Sequence, residues 1–241
     1  MAANHQTMTG HRSPSENDTD YYNRFTDGYS PYAAGDLETM FKPLDKIIHR
    51  FEKPKICEVG SASGQFSRHL AQRYGEDRVT LYGLDIAARV LALYPYHRIC
   101  GSAFNLPIRN ESMDIVCLPA ALHHLFPLED SIVELNRILK RKGYLYCLEP
   151  NLHHPQRFFF MRFKALYNLY RKTNDVPINA DKLTVHLRKQ KLAVVAFDYV
   201  NLHFAKPSIL QKIQNMIAST ICTEALKKYT YPWFILIAEK G

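Results

Sequence analysis

A chain of 241 residues, 46% hydrophobic and 22% charged, has the size and composition of one globular domain with a sizeable core. No apolar run reaches the roughly 18–20 residues that a membrane-spanning helix needs, so no helical span is expected. The net charge of +8 is concentrated: between Asn151 and Lys191, nine Lys and Arg face only Asp175 and Asp181, and this segment carries +7 of it.

The first residues, "MAANHQTMTGHRSPSENDTD", have no apolar h-region and include acidic side chains. They read as neither a secretory signal nor a transit peptide, and residues 1–18 are expected to be a disordered polar tail. Residues 19–241 read as a single domain. Its start, "DYYNRFTDGYSPYA", is rich in rings (Tyr21, Tyr22, Phe25, Tyr29, Tyr32) and is expected to form an aromatic helical cap over 19–52. From there short apolar runs alternate with helical patterns. "KICEVG" (55–60) reads as a strand, and "GQFSRHLAQRYG" (64–75) as a helix with Phe66, Leu70 and Tyr74 on one face. "VTLYGLD" (79–85) is a second strand, followed by a short helix through Leu91 and then "HRICGSA" (97–103). "MDIVCLP" (113–119) is a strand that ends in Pro. "LEDSIVELNRILKRKG" (128–143) is an amphipathic helix with a basic, Gly-closed end. "YLYCLEP" (144–150) is the next strand. A basic aromatic helical stretch occupies 155–173. Two last strands, about 193–201 and 232–240, enclose the helix "SILQKIQNMIAS".

Alternation with continuously apolar strands implies an α/β fold with a mostly parallel sheet and helices on both faces. Four of the five cysteines (Cys57, Cys100, Cys117, Cys147, Cys222) lie in strand-like runs and none forms a C-x-x-C pair. This points to reduced, packed thiols in a cytoplasmic protein.

"ICEVGSASGQFSRHL" (56–70) carries the chemistry. A dinucleotide loop, G-x-G-x-x-G, lets a pyrophosphate approach the backbone at a helix N-terminus. Aligned at Gly60 it demands glycine at 62 and 65, where Ala62 and Gln65 stand. A P-loop ends in G-K-[ST], but Gly64 is followed by Gln65 and Phe66. By themselves Gly60 and Gly64 are equally at home in a tight strand-to-helix turn. Asp85 ends the second strand, twenty-one residues after Gly64, where a carboxylate can accept from two ribose hydroxyls or cap a helix.

The remaining pattern, E-x-G-x-x-x-G, resembles motif I of the class I S-adenosylmethionine (SAM)-dependent methyltransferases. "CGSAFNLPIRNESMDIVCLPAALHHL" and "ELNRILKRKGYLYCLEPN" resemble that family's following blocks, so the resemblance covers about Lys55 to Asn151. The nearest subgroup is the small-molecule branch similar to ubiquinone and menaquinone biosynthesis enzymes. The resemblance implies a Rossmann-like seven-stranded sheet, ordered 3-2-1-4-5-7-6 with the last strand antiparallel. It implies SAM as cofactor and S-adenosylhomocysteine as product, held by Glu58, Gly60, Ser61, Ala62, Gly64, Asp85, Ile86, Ser102, Ala103, Phe104 and Pro119. Glu58 is expected to face the cofactor's ammonium and Asp85 its ribose. Ala62 replaces a frequent glycine, and Ser102 replaces an Asp that receives the adenine amino group.

Ligands of open α/β sheets sit beyond the C-terminal strand ends, which here carry "ALHHLF" and "EPNLHHP". His123, His124, Glu149, Asn151, His153 and His154 are therefore expected to converge. His123 or His124 is the candidate general base, since imidazole titrates near working pH; one of the two is equally suited to hydrogen-bonding its loop. Two His pairs and a Glu also resemble a metal site, but adjacent histidines rarely ligate one ion together, and no metal is expected.

The segment 152–191 reads as a basic aromatic lid insertion. On a helical wheel Phe159, Phe163, Leu166 and Tyr170 share one face and Arg157, Lys164, Asn168 and Arg171 the opposite one, with Arg162 at the border. With Tyr29, the residues Phe159, Arg162 and Phe163 are candidates for roofing an aromatic or lipid-like acceptor. Such a helix equally suits a membrane surface or a lid packed by its rings with a solvated basic face. The expected function is methyl transfer to an O, N or C atom of a small molecule. The alternatives are an RNA or protein methyltransferase that docks through the basic segment, and a SAM-binding partner without catalysis. "LPAALHH" lacks the Asn/Asp-Pro-Pro-Tyr/Phe motif of amino methyltransferases of nucleic acids, and no separate RNA-binding domain is visible.

Overall fold

The computed structural model describes residues 34–155, 178–202 and 223–241, with Thr19, Asn23, Arg157 and Met216 besides. Seven strands run in chain order as β1 (Lys55–Val59), β2 (Thr80–Asp85), β3 (His97–Cys100), β4 (Met113–Pro119), β5 (Leu139–Pro150), β6 (Leu192–Val200) and β7 (Trp233–Lys240). They form one sheet in the order β3-β2-β1-β4-β5-β7-β6. The pairs among β1 to β5 are parallel, and β7 runs antiparallel to both β5 and β6. Both the fold class and the strand order expected from the sequence are observed.

The helices among the described residues are α1 (Ala34–Ile48), α2 (Gln65–Tyr74), α3 (Ala88–Leu91), α4 (Leu128–Ile138), α5 (Ala180–Lys189) and α6 (Glu224–Thr230). Successive side chains of a strand point to opposite faces, and the core divides accordingly. Tyr144, Tyr146 and Leu148 of β5 meet Met40, Phe41 and Leu44 of α1 and Phe66 and Leu70 of α2. Leu145 and Cys147 of the same strand meet Ile132 and Leu135 of α4 and Leu183 and Leu187 of α5. The described part of the N-terminal cap is thus a sheet-covering helix: Phe41 stacks on Phe66 and Phe66 on Tyr146, and the Tyr146 hydroxyl donates to the Met40 carbonyl. Tyr21, Tyr22, Phe25, Tyr29 and Tyr32 lie outside the described residues, as do Cys222, most of the "SILQKIQNMIAS" helix and the lid residues Phe159, Arg162 and Phe163.

Two local expectations are corrected. The helix read as 128–143 ends at Ile138, and Leu139 already pairs with Met113 at the start of β5. The basic run is a bulge within β5, where pairing with β4 passes from Met113–Leu139 to Ile115–Tyr144 and Lys142 stands at φ 60. A Cβ on Gly143 would lie 2.9 Å from the Asp114 carbonyl oxygen, and Lys140 Nζ donates to Asp114 Oδ1 at 2.7 Å. Pairing with β4 overrides the helical periodicity. Among the cysteines, Cys57, Cys117 and Cys147 are buried free thiols, whereas Cys100 is free but exposed, because β3 is the edge strand and turns most of its side chains outward.

Beneath the loop after β1 the packing is set by one ring. Tyr94 is fully buried, and a Cβ on Gly83 would lie 2.5 Å from it. Gly83→Ala is therefore expected to lower stability by about 1–3 kcal/mol, the usual penalty for overpacking a core. Chemical denaturation of both proteins measures it; equal midpoints would show that Tyr94 is free to move.

Candidate active site

The parallel strands end along one edge, and the loops that leave that edge hold one another. The loop after β1 lies on the end of β2: the Gly60 and Ser61 N–H groups donate to the Leu84 carbonyl at 2.8 and 3.1 Å, and Gly64 N–H to Ser61 O at 2.8 Å. Three of its residues are left-handed, Gly60 at φ 72, Ala62 at φ 44 and Gly64 at φ 83. For a residue with a Cβ that conformation costs roughly 1–2 kcal/mol, so the Ala62 replacement is first a matter of backbone strain. The two glycines answer to protein packing as well. A Cβ on Gly60 would meet the Ala121 Cβ at 2.7 Å, and one on Gly64 would meet the Tyr94 ring at 2.6 Å.

Glu58 lies just before the loop, near the end of β1. Its carboxyl is buried and turns to the start of α2, where Ser67 donates to Oε2 through both its N–H and its hydroxyl. The Tyr94 hydroxyl donates to Ser67 Oγ at 2.7 Å. The described hydrogen-bond partners of Glu58 Oε2 are thus the helix start and its serine. A carboxyl already occupies the helix terminus that a pyrophosphate would need, and the N–H groups of Gly60, Ser61, Ala62 and Gly64 are taken by protein oxygens. Those four N–H groups are thus engaged by the protein itself. The loop suits a phosphate-free cofactor.

Asp85 ends β2. Oδ2 accepts from the Ala62 N–H at 2.8 Å and Oδ1 from the Ala87 N–H at 2.8 Å. The Ile86 N–H also hydrogen-bonds to this carboxyl, which keeps lone-pair capacity for a ribose hydroxyl. Burial raises its pKa, opposed by these backbone donors. Ser61 Oγ is buried with no hydrogen-bond partner, a polar atom that a bound group of matching polarity would satisfy. Ser102 Oγ accepts from the Phe104 N–H at 3.2 Å and retains a donor and a lone pair. Ala103 is buried, Ile86 and Phe104 are half-buried, and Pro119 is buried at the end of β4 opposite Leu148. The residues present fit SAM.

On the neighbouring strands His123 and Glu149 meet. Leu122–His124 form a 3-10 turn just beyond β4. Glu149, fully buried near the end of β5, accepts through Oε1 from the Ala121 and Leu122 N–H groups at 3.0 and 2.7 Å. Its Oε2 lies 2.7 Å from His123 Nδ1. Burial pushes the Glu149 carboxyl up to about 8, opposed by these backbone donors and by His124. The His123 and His124 rings are 4.0 Å apart at 43°. Of the two, His123 has the carboxylate partner that a general base needs to orient it.

Asn151, expected among the catalytic residues, is corrected to a clamp. Its Nδ2 donates to the Lys228 and Tyr231 carbonyls, both at 2.8 Å, and its Oδ1 accepts from the His153 N–H at 2.9 Å. Its side chain is thus engaged by backbone groups on both sides. The second His pair does not join the first in the described contacts. His153 meets Tyr229 edge-on, with Nε2 4.0 Å from Asp181 Oδ2. His154 is buried and held down to about 4 by desolvation and the nearby Arg157 charge. Ser67 and Tyr94 were not singled out from the sequence, since nothing local marks a serine or tyrosine whose partners lie 9 and 27 residues away.

Burial raises the Glu58 carboxyl to about 8, against an ordinary value near 4.5 when unfolded. The sign follows from linkage: the unfolded chain ionises first, so Glu58 lowers stability progressively as pH rises from about 4.5 to about 8. Glu58→Gln is expected to show a smaller drop in melting temperature between pH 5 and pH 9 than the parent chain. Identical drops would mean that Glu58 is already ionised in the fold.

Residues 57–147 match the methyltransferase domain family. The chain is 27% identical over 139 residues to the malonyl-[acyl-carrier protein] O-methyltransferase of Gallionella capsiferriformans, covering 52% of this chain and 47% of that protein. It is 26% identical over 137 residues to the demethylmenaquinone methyltransferase of Thermotoga maritima, covering 55% and 57%. The chain spans about half the length of these curated relatives. In fold it is similar to a chain of the complex between the Haloferax volcanii Trm112 methyltransferase activator and a methyltransferase, with TM-score 0.62 and 15% identity over 91% of this chain and 97% of that one. The domain match over residues 57–147 and the sheet order together make the chain similar to the class I S-adenosylmethionine-dependent methyltransferases, with a methyltransferase domain at its centre.

Proposed function

We propose that the chain transfers the methyl group of SAM to an O, N or C nucleophile of a small aromatic or lipid-like molecule. The observation that carries the proposal is a juxtaposition. Asp85 and the loop after β1 lie at the same end of the parallel strands as the His123–Glu149 pair, and the two loops touch through Gly60 and Ala121. Support for a small acceptor comes from the relative named for demethylmenaquinone; another is named for malonyl-[acyl-carrier protein].

When bound, SAM supplies a sulfonium whose methyl group is already an electrophile. The chain's part is to hold and to exclude. Asp85 would take the ribose hydroxyls and Ser61 a polar group of the methionine part. The backbone of 102–104 would line the adenine. Fixing the acceptor in line with the methyl group can contribute up to about 7–11 kcal/mol in ideal cases. An acceptor that must lose a proton would give it to His123.

The test is calorimetric binding of S-adenosylhomocysteine, together with label transfer from methyl-labelled SAM to quinols, phenols and carboxylic acids. Asp85→Asn is expected to weaken binding about 10- to 100-fold, the loss of about 1.5–3 kcal/mol for a hydrogen bond to a charged group. Unchanged binding would place the ribose elsewhere. Binding without transfer to any acceptor would favour a SAM-binding partner protein, and transfer to RNA or protein alone would overturn the small-molecule reading.

A further inference from the structure

We propose that the sheet edge formed by the strand starts is a docking surface for a single nucleic-acid strand, held by its phosphates. The surface is a row of exposed Lys and Arg, and it lies at the opposite end of the parallel strands from Asp85 and His123. It is independent of the methyl-transfer reading above.

Register places the row. Ile56, Ile115, Tyr144, Glu239 and Ala193 pair in turn across β1, β4, β5, β7 and β6. Just outside them lie residues 53–55, 111–114, 140–143, 239–240 and 188–191. At about 4.8 Å per strand, this rim is roughly 19 Å wide. Its segments hold nine Lys and Arg against Glu111, Asp114 and Glu239, a net side-chain charge of +6 in a chain of +8. Each of the three acids is paired with a cation of the rim: Asp114 with Lys140 at 2.7 Å, Glu239 with Lys142 at 3.3 Å and Glu111 with Lys240 at 3.4 Å. Lys53, Lys55, Arg141, Arg188, Lys189 and Lys191 are left, all exposed and in none of the described ion pairs. Arg50 and Glu52, beside Lys53, offset each other in charge.

Local causes account for part of the row. Arg188 and Lys189 close α5, where cations suit a helix C-terminus. Lys53, Lys55 and Arg141 stand at strand starts, and a sheet has only a small net dipole. Like charges along one line repel one another unless an anion neutralises them. The chemistry of the row selects that anion. The apolar side chains of these segments, Pro54 and Met113, are buried. A membrane surface would be met by exposed apolar residues among the cations, and a protein partner by an aromatic or aliphatic centre. A line of cations with neither fits a phosphate backbone. The rim is also a strand's length, roughly 17–20 Å, from the loops after β1 and β4. A nucleic acid held there is kept away from the edge that bears Asp85. Arg188, Lys189 and Lys191, part of the basic 151–191 segment, thereby serve docking and not presentation of an acceptor.

The test uses the full chain and a fluorescein-labelled oligouridylate of about twenty nucleotides, read by fluorescence anisotropy. Neutralising about three to five phosphates gives a slope of log K against log salt of about −2 to −3.5 for a single strand, so binding is expected to weaken about 20- to 100-fold between about 50 and about 200 mM KCl. Lys53→Gln, Arg141→Gln and Lys189→Gln together are expected to reduce that slope by roughly half and to weaken binding at the lower salt by about tenfold or more. Lys42→Gln, Arg89→Gln and Lys182→Gln together remove the same charge from exposed positions off the rim. They are expected to bind within a factor of about two of the parent. A second measurement needs no variant: on adding oligouridylate, amide NMR shifts of the parent are expected at 53–55, 140–143 and 188–192. Shifts confined to 60–64 and 121–124 would overturn the proposal. So would equal losses in the two triple variants, or no binding at the lower salt. Binding to vesicles of about 30% phosphatidylglycerol but not to oligouridylate would assign the rim to a membrane and overturn the nucleic-acid reading. Methyl label from SAM on the bound oligouridylate would overturn the separation of docking from the active edge.

Discussion

Parallel strands that end together leave loops whose N–H groups have no strand to pair with, and in this protein two buried glutamates and a half-buried aspartate meet that demand. Glu58 takes the Ser67 N–H, Asp85 those of Ala62 and Ala87, and Glu149 those of Ala121 and Leu122. Asp85 and Glu149 each reach a neighbouring loop, Glu58 the helix that its own loop begins, and Asp85 also holds Ala87 in its own loop. Buried backbone donors must be satisfied, so these carboxyls fix the edge of the sheet on which the proposed chemistry depends. The same burial that makes them good clamps disfavours their charged forms and moves Glu58 and Glu149 up to about 8.

The clamps also join two functions. The turn after β4 is held from β5 by Glu149, and through Ala121 it presses on Gly60 in the loop after β1. The loop fitted to the cofactor and the turn bearing the proposed base therefore share one van der Waals contact. A glycine at 60 is needed for that approach as well as for its left-handed backbone. A side chain there would part the two loops before it touched any ligand.

Much of the site is recoverable from local chemistry. Asp85 stands out because it ends an apolar strand at a fixed distance from a glycine loop, and the failed positions Ala62 and Gln65 remove a dinucleotide without any coordinates. The structure gives that exclusion a second, independent cause, the carboxyl of Glu58 at the start of α2. Asn151 and Glu149 show where local reading stops. Both are polar residues at a strand end, and the sequence treats them alike. One is consumed by the carbonyls of residues 228 and 231, the other faces an imidazole 26 positions away. Partners so distant in the chain leave no periodic or spacing signal.

The alternation of apolar strands with amphipathic helices determined the α/β class from the sequence alone, because period-two and period-3.6 burial are local properties of a chain. The ordered motifs from Lys55 to Asn151 carried the resemblance to a methyltransferase family, and that resemblance implied the strand order that the sheet shows. Tertiary structure alone decided the rest. It ended α4 at Ile138, because pairing Leu139 with Met113 outweighs helical periodicity. It filled the space above Gly64 and Gly83 with the ring of Tyr94, and it turned Glu58 inward while turning Glu149 onto His123. Those choices depend on which atoms meet across the sheet, and contact across a sheet is set by packing and register, which no single stretch of sequence carries.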